Sequence, residues 1–136
     1  MAETASQGGH EGGSVLKSAI PILRMFDEAH ARAFYLDFLG FSKDWEHRHD
    51  VDFPLYMQIS RQNCLLHLTE HFGDATPGSG CFVPMEDVEA FHAELVARNP
   101  DNLRLGLETM PWGQQVKVTD PFGNKLTFCE QNAQAQ

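Results

Sequence analysis

The side chains that could do chemistry in this chain of 136 residues include seven histidines, three cysteines and nineteen acidic residues. A metal centre or a nucleophilic site requires several such groups close together. His67 and His71 are four residues apart, which would align them on a helix, but apolar and polar residues alternate around His67. That alternation predicts a strand followed by a turn. The sequence therefore favours His67 as a cavity-lining or hydrogen-bonded histidine of a sheet.

The cysteines do not form a recognisable site. Cys64, Cys81 and Cys129 are odd in number and no two have C-x-x-C spacing, so neither a disulfide framework nor a structural zinc site is indicated. Each lies in an apolar stretch, where a free cysteine usually packs as a small hydrophobic residue. Because the N-terminus also lacks an apolar signal segment, we expect a cytoplasmic location.

Common catalytic motifs are missing from the sequence. It contains no P-loop, no G-x-S-x-G and no dinucleotide fingerprint. The run at 78–80, Gly-Ser-Gly, follows Pro77 and precedes a predicted strand rather than a helix, so it does not indicate a phosphate site. We therefore assign no catalytic residue and expect no cofactor.

Net charge is the skewed property of the composition. Ten basic against nineteen acidic residues give −9, in a chain that is 42% hydrophobic. This balance argues against nucleic acid or an anionic membrane as partner, since both attract basic surfaces. No apolar run approaches the roughly 18 residues of a membrane span. The acidity is compatible with a cationic ligand, and equally with simple solubility.

The order of predicted elements repeats. After a disordered tail at 1–15, a strand at 19–26 leads into a helix that Asp27 caps and Gly40 ends. Strands at 41–47, 55–59 and 63–70 complete module one, residues 16–72. After a Gly/Pro-rich linker, module two, residues 79–131, repeats the order with a strand at 81–83 and a helix from Glu86 or Asp87 to about Arg98. Its further strands are predicted at 103–108, 115–119 and 125–129, and 132–136 is a C-terminal tail.

This duplication predicts a single α+β domain over residues 16–131. Two βαβββ modules form a curved mixed sheet, a half-open barrel, with the helices on the convex face. The alternate residues of each strand then line a concave cavity between the two copies. Both modules have edge strands that favour cover by another chain, so we expect a homodimer with two equivalent clefts, with or without exchange of strands.

Three features together resemble the vicinal-oxygen-chelate superfamily: the paired βαβββ modules, the helix stretch FYLDFLGF at 34–41, and the turn DPFGN at 120–124. That superfamily includes glyoxalase I, extradiol dioxygenases, and fosfomycin- and bleomycin-resistance proteins. The resemblance covers about residues 18–131. AIPIL at 19–23, GFSKDW at 40–45 and PWG at 111–113 are similar to segments of the bleomycin-resistance branch, whereas the stretch at 63–74 is more like a glyoxalase strand.

The resemblance also identifies where a metal would be held in the enzymes. The four ligand positions correspond here to Pro21, His67, Gly80 (or Cys81) and Thr127. Only His67 is a plausible ligand, and a catalytic zinc or non-haem metal site needs at least three. The resemblance therefore implies no metal site in this chain.

The resistance branch implies a function without chemistry, the sequestration of a cationic aromatic glycopeptide antibiotic such as bleomycin. The resemblance and the position of the aromatic residues give four candidate ligand-binding residues: Trp45, Phe53, His67 and Trp112. Nearby acids could form a negative rim: Asp44, Glu46, Asp50 and Asp52. Two alternatives stay open, a metal-dependent glyoxalase- or dioxygenase-type enzyme and a carrier of an unrelated small molecule.

Overall fold

The computed structural model describes residues 13–99 and 102–133. The predicted order βαβββ occurs twice among them. The strands of module one are β1 (Ile22–Arg24), β2 (Ser42–His47), β3 (Tyr56–Arg61) and β4 (Cys64–Thr69). The strands of module two are β5 (Gly80–Pro84), β6 (Leu107–Met110), β7 (Gly113–Thr119) and β8 (Lys125–Gln131). Most of the N-terminal tail predicted at 1–15, and residues 134–136 of the predicted C-terminal tail, lie outside the described residues.

Each module forms its own four-stranded mixed sheet. The strand orders are β1-β4-β3-β2 and β5-β8-β7-β6. In each sheet the first strand runs parallel to the last, and the other pairs are antiparallel. The two sheets do not close into a barrel, and with two helical segments they confirm the predicted α+β class.

Strand alternation sorts each sheet into a buried face and an open face. In β4, Leu66 and Leu68 are fully buried, whereas His67 between them is partly exposed on the opposite side, as the sequence predicts. Buried side chains from both sheets and both helices form one continuous cluster within the described part of the chain. The modules therefore share a core, and the open sheet faces are left for other contacts.

The first helix begins at the predicted Asp27, and the second begins at Asp87, one of the two predicted starts. Asp27 accepts a hydrogen bond from the backbone N–H of His30, and Asp87 accepts one from that of Ala90. The first helix, α1, starts as an α-helical turn (Glu28–Ala31). The second helix, α2 (Val88–Ala97), contacts β7 and β8. No helix in the described ranges is long and apolar enough to span a membrane.

The sequence predicts an ordinary helix to Leu39, but α1 continues as a π-helix (Arg32–Phe38). Its widened turn shows in the bond from the N–H of Leu39 to the carbonyl of Phe34, five residues back. The bulky Phe34, Tyr35 and Phe38 all lie on the buried side of this segment. It ends at Gly40, whose φ of +81° favours glycine.

Most strands match their predicted bounds within two residues, and two differ by more. The first, predicted at 19–26, is restricted to Ile22–Arg24 because Pro21 has no N–H to donate to β4. The strand predicted at 103–108 begins only at Leu107 and extends to Met110. The preceding segment is a loop because the side-chain amide of Asn99 satisfies both the N–H and the carbonyl of Leu103.

Candidate ligand-binding site

A β-bulge in β2 builds the central part of the site. Lys43 pairs with Ile59 and Trp45 pairs with Gln58, so Asp44 is an extra residue in β2. A bulge redirects the side chains around it. Asp44 accepts hydrogen bonds from side chains of β3 on the open face of the first sheet, and Trp45 stacks on the same face. The bulge therefore brings two consecutive side chains to one surface.

Three rings form an aromatic cluster on this face. Trp45 stacks on Tyr56 with ring centroids 6.1 Å apart and planes inclined by 11°. His67 contacts both edge-on, at 5.3 Å from Trp45 and 5.2 Å from Tyr56. Trp45 is 44% exposed, so part of its face is free to pack against a flat ligand. Such aromatic contacts contribute about 0.5–1.5 kcal/mol each beyond the area they bury.

Polar contacts fix the histidine of this cluster. His67 Nδ1 lies 2.7 Å from Tyr56 Oη, and its Nε2 lies 3.0 Å from Gln58 Oε1. Partial burial lowers the pKa of His67, which favours the neutral imidazole, and raises the pKa of Tyr56. His67 is thus a hydrogen-bonded sheet histidine on the open face.

Tyr56 and Gln58 also belong to the site, although they are not among the residues predicted from the sequence. Their signal was the alternation of β3, in which Tyr56, Gln58 and Ser60 share one face and the buried Met57 and Ile59 the other. The register of β3 with β4 then places Gln58 directly beside His67. The strand predicted at 55–59 has the same alternation, so its polar face was a signal for these two residues.

The four residues predicted to bind ligand do not all meet within one chain. Trp45 and His67 are in contact, whereas Phe53 lies in the loop after β2, where its ring contacts His49 at 5.3 Å. Trp112 belongs to module two, where its Nε1 donates to Gln115 Oε1 at 3.4 Å. Among the described residues, neither Phe53 nor Trp112 makes a ring contact with the Trp45 cluster.

The hairpin that carries Trp112 requires a glycine at position 113. A Cβ at Gly113 would lie 2.1 Å from the carbonyl oxygen of Glu130, a distance that no side chain tolerates. Gly113 therefore allows β7 and β8 to approach closely beside Trp112, which is 42% exposed. Beneath it, Gln115 is nearly buried and donates to Glu108 at 3.1 Å.

The expected acidic rim is only partly formed. Asp44 is hydrogen-bonded within the site, at 2.9 Å from both Gln58 Nε2 and Ser60 Oγ. Glu46 instead pairs with Lys43 at 2.6 Å, and the hydrogen bond from Lys43 lowers the pKa of Glu46. Asp50 caps its own loop by accepting from the N–H of Val51. Of the four predicted acids, Asp44 is the one whose contacts reach the cluster.

The residues at the family's metal positions do not fit a metal ion. Within residues 13–99 and 102–133, no three histidine, cysteine or acidic side chains are grouped closely enough to hold one. Both ring nitrogens of His67 are hydrogen-bonded, while Pro21 and Gly80 have no donor atom in their side chains. One histidine and a threonine are an insufficient donor set.

A groove of about 800 Å³ lies between the modules. Module one contributes Pro21 and Cys64 to its wall, and module two contributes Cys81, Phe82 and Phe91. Burial raises the pKa of Cys64 to about 11 and also raises that of Cys81, so both thiols stay protonated and poorly nucleophilic at neutral pH. The sequence predicted a cavity between the copies, but this groove contains none of the four predicted ligand-binding residues.

The paired βαβββ modules place the chain in a known class of fold. The model of the family described as glyoxalase superfamily protein matches residues 4–135. The chain belongs to this superfamily. No curated protein sequence matches it.

Solved structures of the same fold include antibiotic-binding proteins. One is a bleomycin-binding protein complexed with bleomycin, 21% identical, with a TM-score of 0.66 over 86% of this chain and 100% of the other. A second is the bleomycin-binding protein of Streptomyces verticillus complexed with copper(II)-bleomycin, 25% identical, TM-score 0.64, covering 88% and 100%. A third is the bleomycin resistance determinant of transposon Tn5, 20% identical, TM-score 0.66, covering 86% and 99%.

Proposed function

We propose that this protein binds and sequesters a cationic aromatic small molecule of the bleomycin kind without chemical conversion. The observation that carries the proposal is the cluster of Trp45, Tyr56 and His67 on an open sheet face. Its exposed ring surface suits a planar heteroaromatic group. The net charge of −9 attracts a cationic tail, and structural neighbours include proteins solved with bleomycin.

A homodimer in the cytoplasm is part of the proposal. Trp45 and Trp112 both lie half-exposed, in different modules, and make no ring contact with each other among the described residues; a second copy would bring one module's tryptophan opposite the other's. Two equivalent clefts would follow from the two-fold symmetry of such a dimer. The free thiols of Cys64, Cys81 and Cys129 are compatible with a reducing compartment.

Titration calorimetry with metal-free bleomycin and with copper(II)-bleomycin tests the ligand class. We expect saturable binding, with affinity reduced about tenfold or more in Trp45→Ala, a loss typical of an aromatic residue central to an interface. Phe72→Ala is the matched control, because Phe72 is 89% exposed in the turn after β4 and should leave the affinity unchanged. No binding of either form at high micromolar concentration contradicts the proposal. Binding of an unrelated metabolite from a panel would then favour the carrier alternative.

A further inference from the structure

Five polar side chains of the open face form a continuous chain of hydrogen bonds. Tyr56 Oη is 2.7 Å from His67 Nδ1. His67 Nε2 is 3.0 Å from Gln58 Oε1. Gln58 Nε2 is 2.9 Å from Asp44 Oδ2, and the other carboxylate oxygen of Asp44 accepts from Ser60 Oγ at 2.9 Å. The chain crosses three strands and ends at the aromatic ring that stacks on Trp45.

The carboxylate fixes the direction of every bond in this chain. An ionised Asp44 can only accept, so Gln58 must turn its amide nitrogen toward Asp44 and its oxygen toward His67. His67 Nε2 is then the protonated nitrogen of the ring. In a neutral imidazole the other nitrogen is an acceptor, so Tyr56 donates its hydroxyl proton to His67 Nδ1.

The direction of these hydrogen bonds determines whether Tyr56 acts as a donor or an acceptor toward a ligand. A phenol has one hydroxyl proton to donate, and Tyr56 donates it to another side chain of the same sheet. Toward the open face its oxygen therefore offers only lone pairs, beside the half-exposed ring of Trp45. A flat ligand on this platform meets an acceptor there, and an N–H group would satisfy it.

On the basis of the function proposed above, we propose that Tyr56 is the specificity-determining residue of the site, selecting aromatic ligands that carry an N–H donor while His67 is neutral, and that protonation of His67 reverses this preference. An imidazolium donates from both nitrogens. His67 Nδ1–H then points at Tyr56 Oη, and the hydroxyl must turn outward. Tyr56 becomes a donor toward the ligand, and the face gains a positive charge.

The position of the switch on the pH scale follows from the surroundings of the ring. Burial lowers the pKa of His67 below its ordinary value of 6.5, so the reversal occurs at a lower pH than the titration of a free histidine. Ile22 of β1 is its register partner on one side and Gln58 of β3 on the other, and both are uncharged. The charged and titratable side chains on the surrounding strands are Arg24 of β1, four on β2 (Lys43, Asp44, Glu46 and His47), and Tyr56 and Arg61 of β3, while Asp74 accepts a hydrogen bond from Thr69 of β4.

Nitrogen NMR of the ¹⁵N-histidine-labelled protein tests the donor-to-acceptor direction of these hydrogen bonds without any ligand. At about pH 7.5, above the ordinary histidine pKa, we expect the proton of the His67 ring on Nε2, with the signal assigned by its loss in His67→Gln. A proton on Nδ1 overturns the inference, because Tyr56 would then have its own proton available for the ligand. This readout is independent of whether the proposed ligand class is right.

Two cationic aromatic probes separate hydrogen bonding from charge and stacking. Benzamidine carries N–H donors, whereas phenyltrimethylammonium carries none. In Tyr56→Phe we expect the affinity for benzamidine to fall about tenfold, as for loss of a hydrogen bond to a charged group, with phenyltrimethylammonium unaffected. His30→Gln, an exposed change on α1, should alter neither affinity. Equal losses for both probes overturn the inference, because they indicate packing alone.

Acid supplies the second arm of the probe experiment. At a pH below the midpoint of His67 protonation, which the same NMR signal locates, the ratio of benzamidine to phenyltrimethylammonium affinity should fall toward that of Tyr56→Phe, and His67→Gln should lose this pH dependence. The ratio cancels the repulsion that both cations feel from a protonated His67. An unchanged ratio contradicts the inference while the proposed function stands. Failure of both probes to bind at millimolar concentration contradicts the proposed function and this ligand selection together.

Discussion

Tyr35 of α1 donates its hydroxyl to Asp120 Oδ2 at 2.6 Å, across 85 positions of the chain. The aspartate belongs to the DPFGN turn of module two, where its other oxygen accepts from the backbone N–H groups of Phe122 and Asn124. Both partners are buried. Burial, followed by the charge of Asp120, raises the pKa of Tyr35. This hydrogen bond thereby links α1 of module one to the DPFGN turn of module two.

Tyr35→Phe should destabilise the protein. The change leaves Asp120 Oδ2 with only the Asn124 amide as partner, and an undersatisfied buried carboxylate costs about 1–3 kcal/mol or more. Urea denaturation followed by circular dichroism measures the free energy of unfolding. A double-mutant cycle with Asp120→Asn should give a coupling of about 0.5–3 kcal/mol. Strictly additive losses would show that the two side chains are not energetically linked.

A second connection between modules predicts how stability depends on pH. Arg61 Nη1 and Nη2 donate to Glu94 of α2 at 2.8 and 2.9 Å. These hydrogen bonds lower the pKa of Glu94 from 4.5. Because the folded pKa lies below the unfolded one, the stabilisation is present above about pH 4.5 and is lost as the pH falls through the folded value. Glu94→Gln should remove this part of the acid sensitivity.

The control for Glu94 lies on the same helix. Glu89 of α2 is exposed, so Glu89→Gln should leave the pH profile of the unfolding free energy close to that of the wild type. Denaturant titrations between about pH 3 and pH 7 bracket the ordinary carboxyl pKa. A Glu94→Gln profile parallel to the wild type would mean that the Arg61 pair contributes as little as a solvated surface ion pair.

The element order was predictable because it depends on local signals. Asp27, Gly40 and the DPFGN turn delimit elements by capping, positive φ and side-chain hydrogen bonding, all of which leave a mark in a short window. The late start of β6 depends instead on the side chain of Asn99 meeting the backbone of Leu103, and the position of Tyr35 depends on its contact with Asp120 of the other module. Side-chain contacts of this kind cannot be read from periodicity.

The candidate site was only half predictable for a related reason. His67 and Trp45 were found from residue type and family resemblance, but their contact depends on a bulge at Asp44 that shifts the register of β2 against β3. Tyr56 was overlooked because its role comes from what lies beside it in space. The placement of Phe53 and Trp112 relative to the cluster likewise depends on tertiary geometry, which the sequence does not encode locally.

Salt should weaken ligand binding if acidity contributes to it. The net charge of −9 attracts a cationic ligand over a distance that shrinks to about 3 Å at 1 M ionic strength. The affinity for bleomycin should therefore fall as sodium chloride is raised from about 0.05 to 0.5 M. An uncharged heteroaromatic compound of similar size is the control, since stacking on Trp45 is insensitive to screening. Equal salt dependence for both would assign the acidity to solubility alone.

Dimerisation should depend on apolar residues at the strand edges of the open faces. β1 and β5 are outer strands of their sheets, and they expose Ile22 by 42% and Phe82 by 47%. Exposed edges and large apolar side chains favour cover by a second chain. Light scattering coupled to gel filtration should give twice the 15.3 kDa of one chain for the wild type.

Phe82→Glu should shift the population toward the single-chain mass, because a buried unpaired carboxylate opposes association. Phe72→Glu places the same charge on a residue that is 89% exposed in the turn after β4 and should leave the dimer intact. A wild type that elutes at the mass of one chain contradicts the dimer, and with it the placement of Trp112 opposite Trp45.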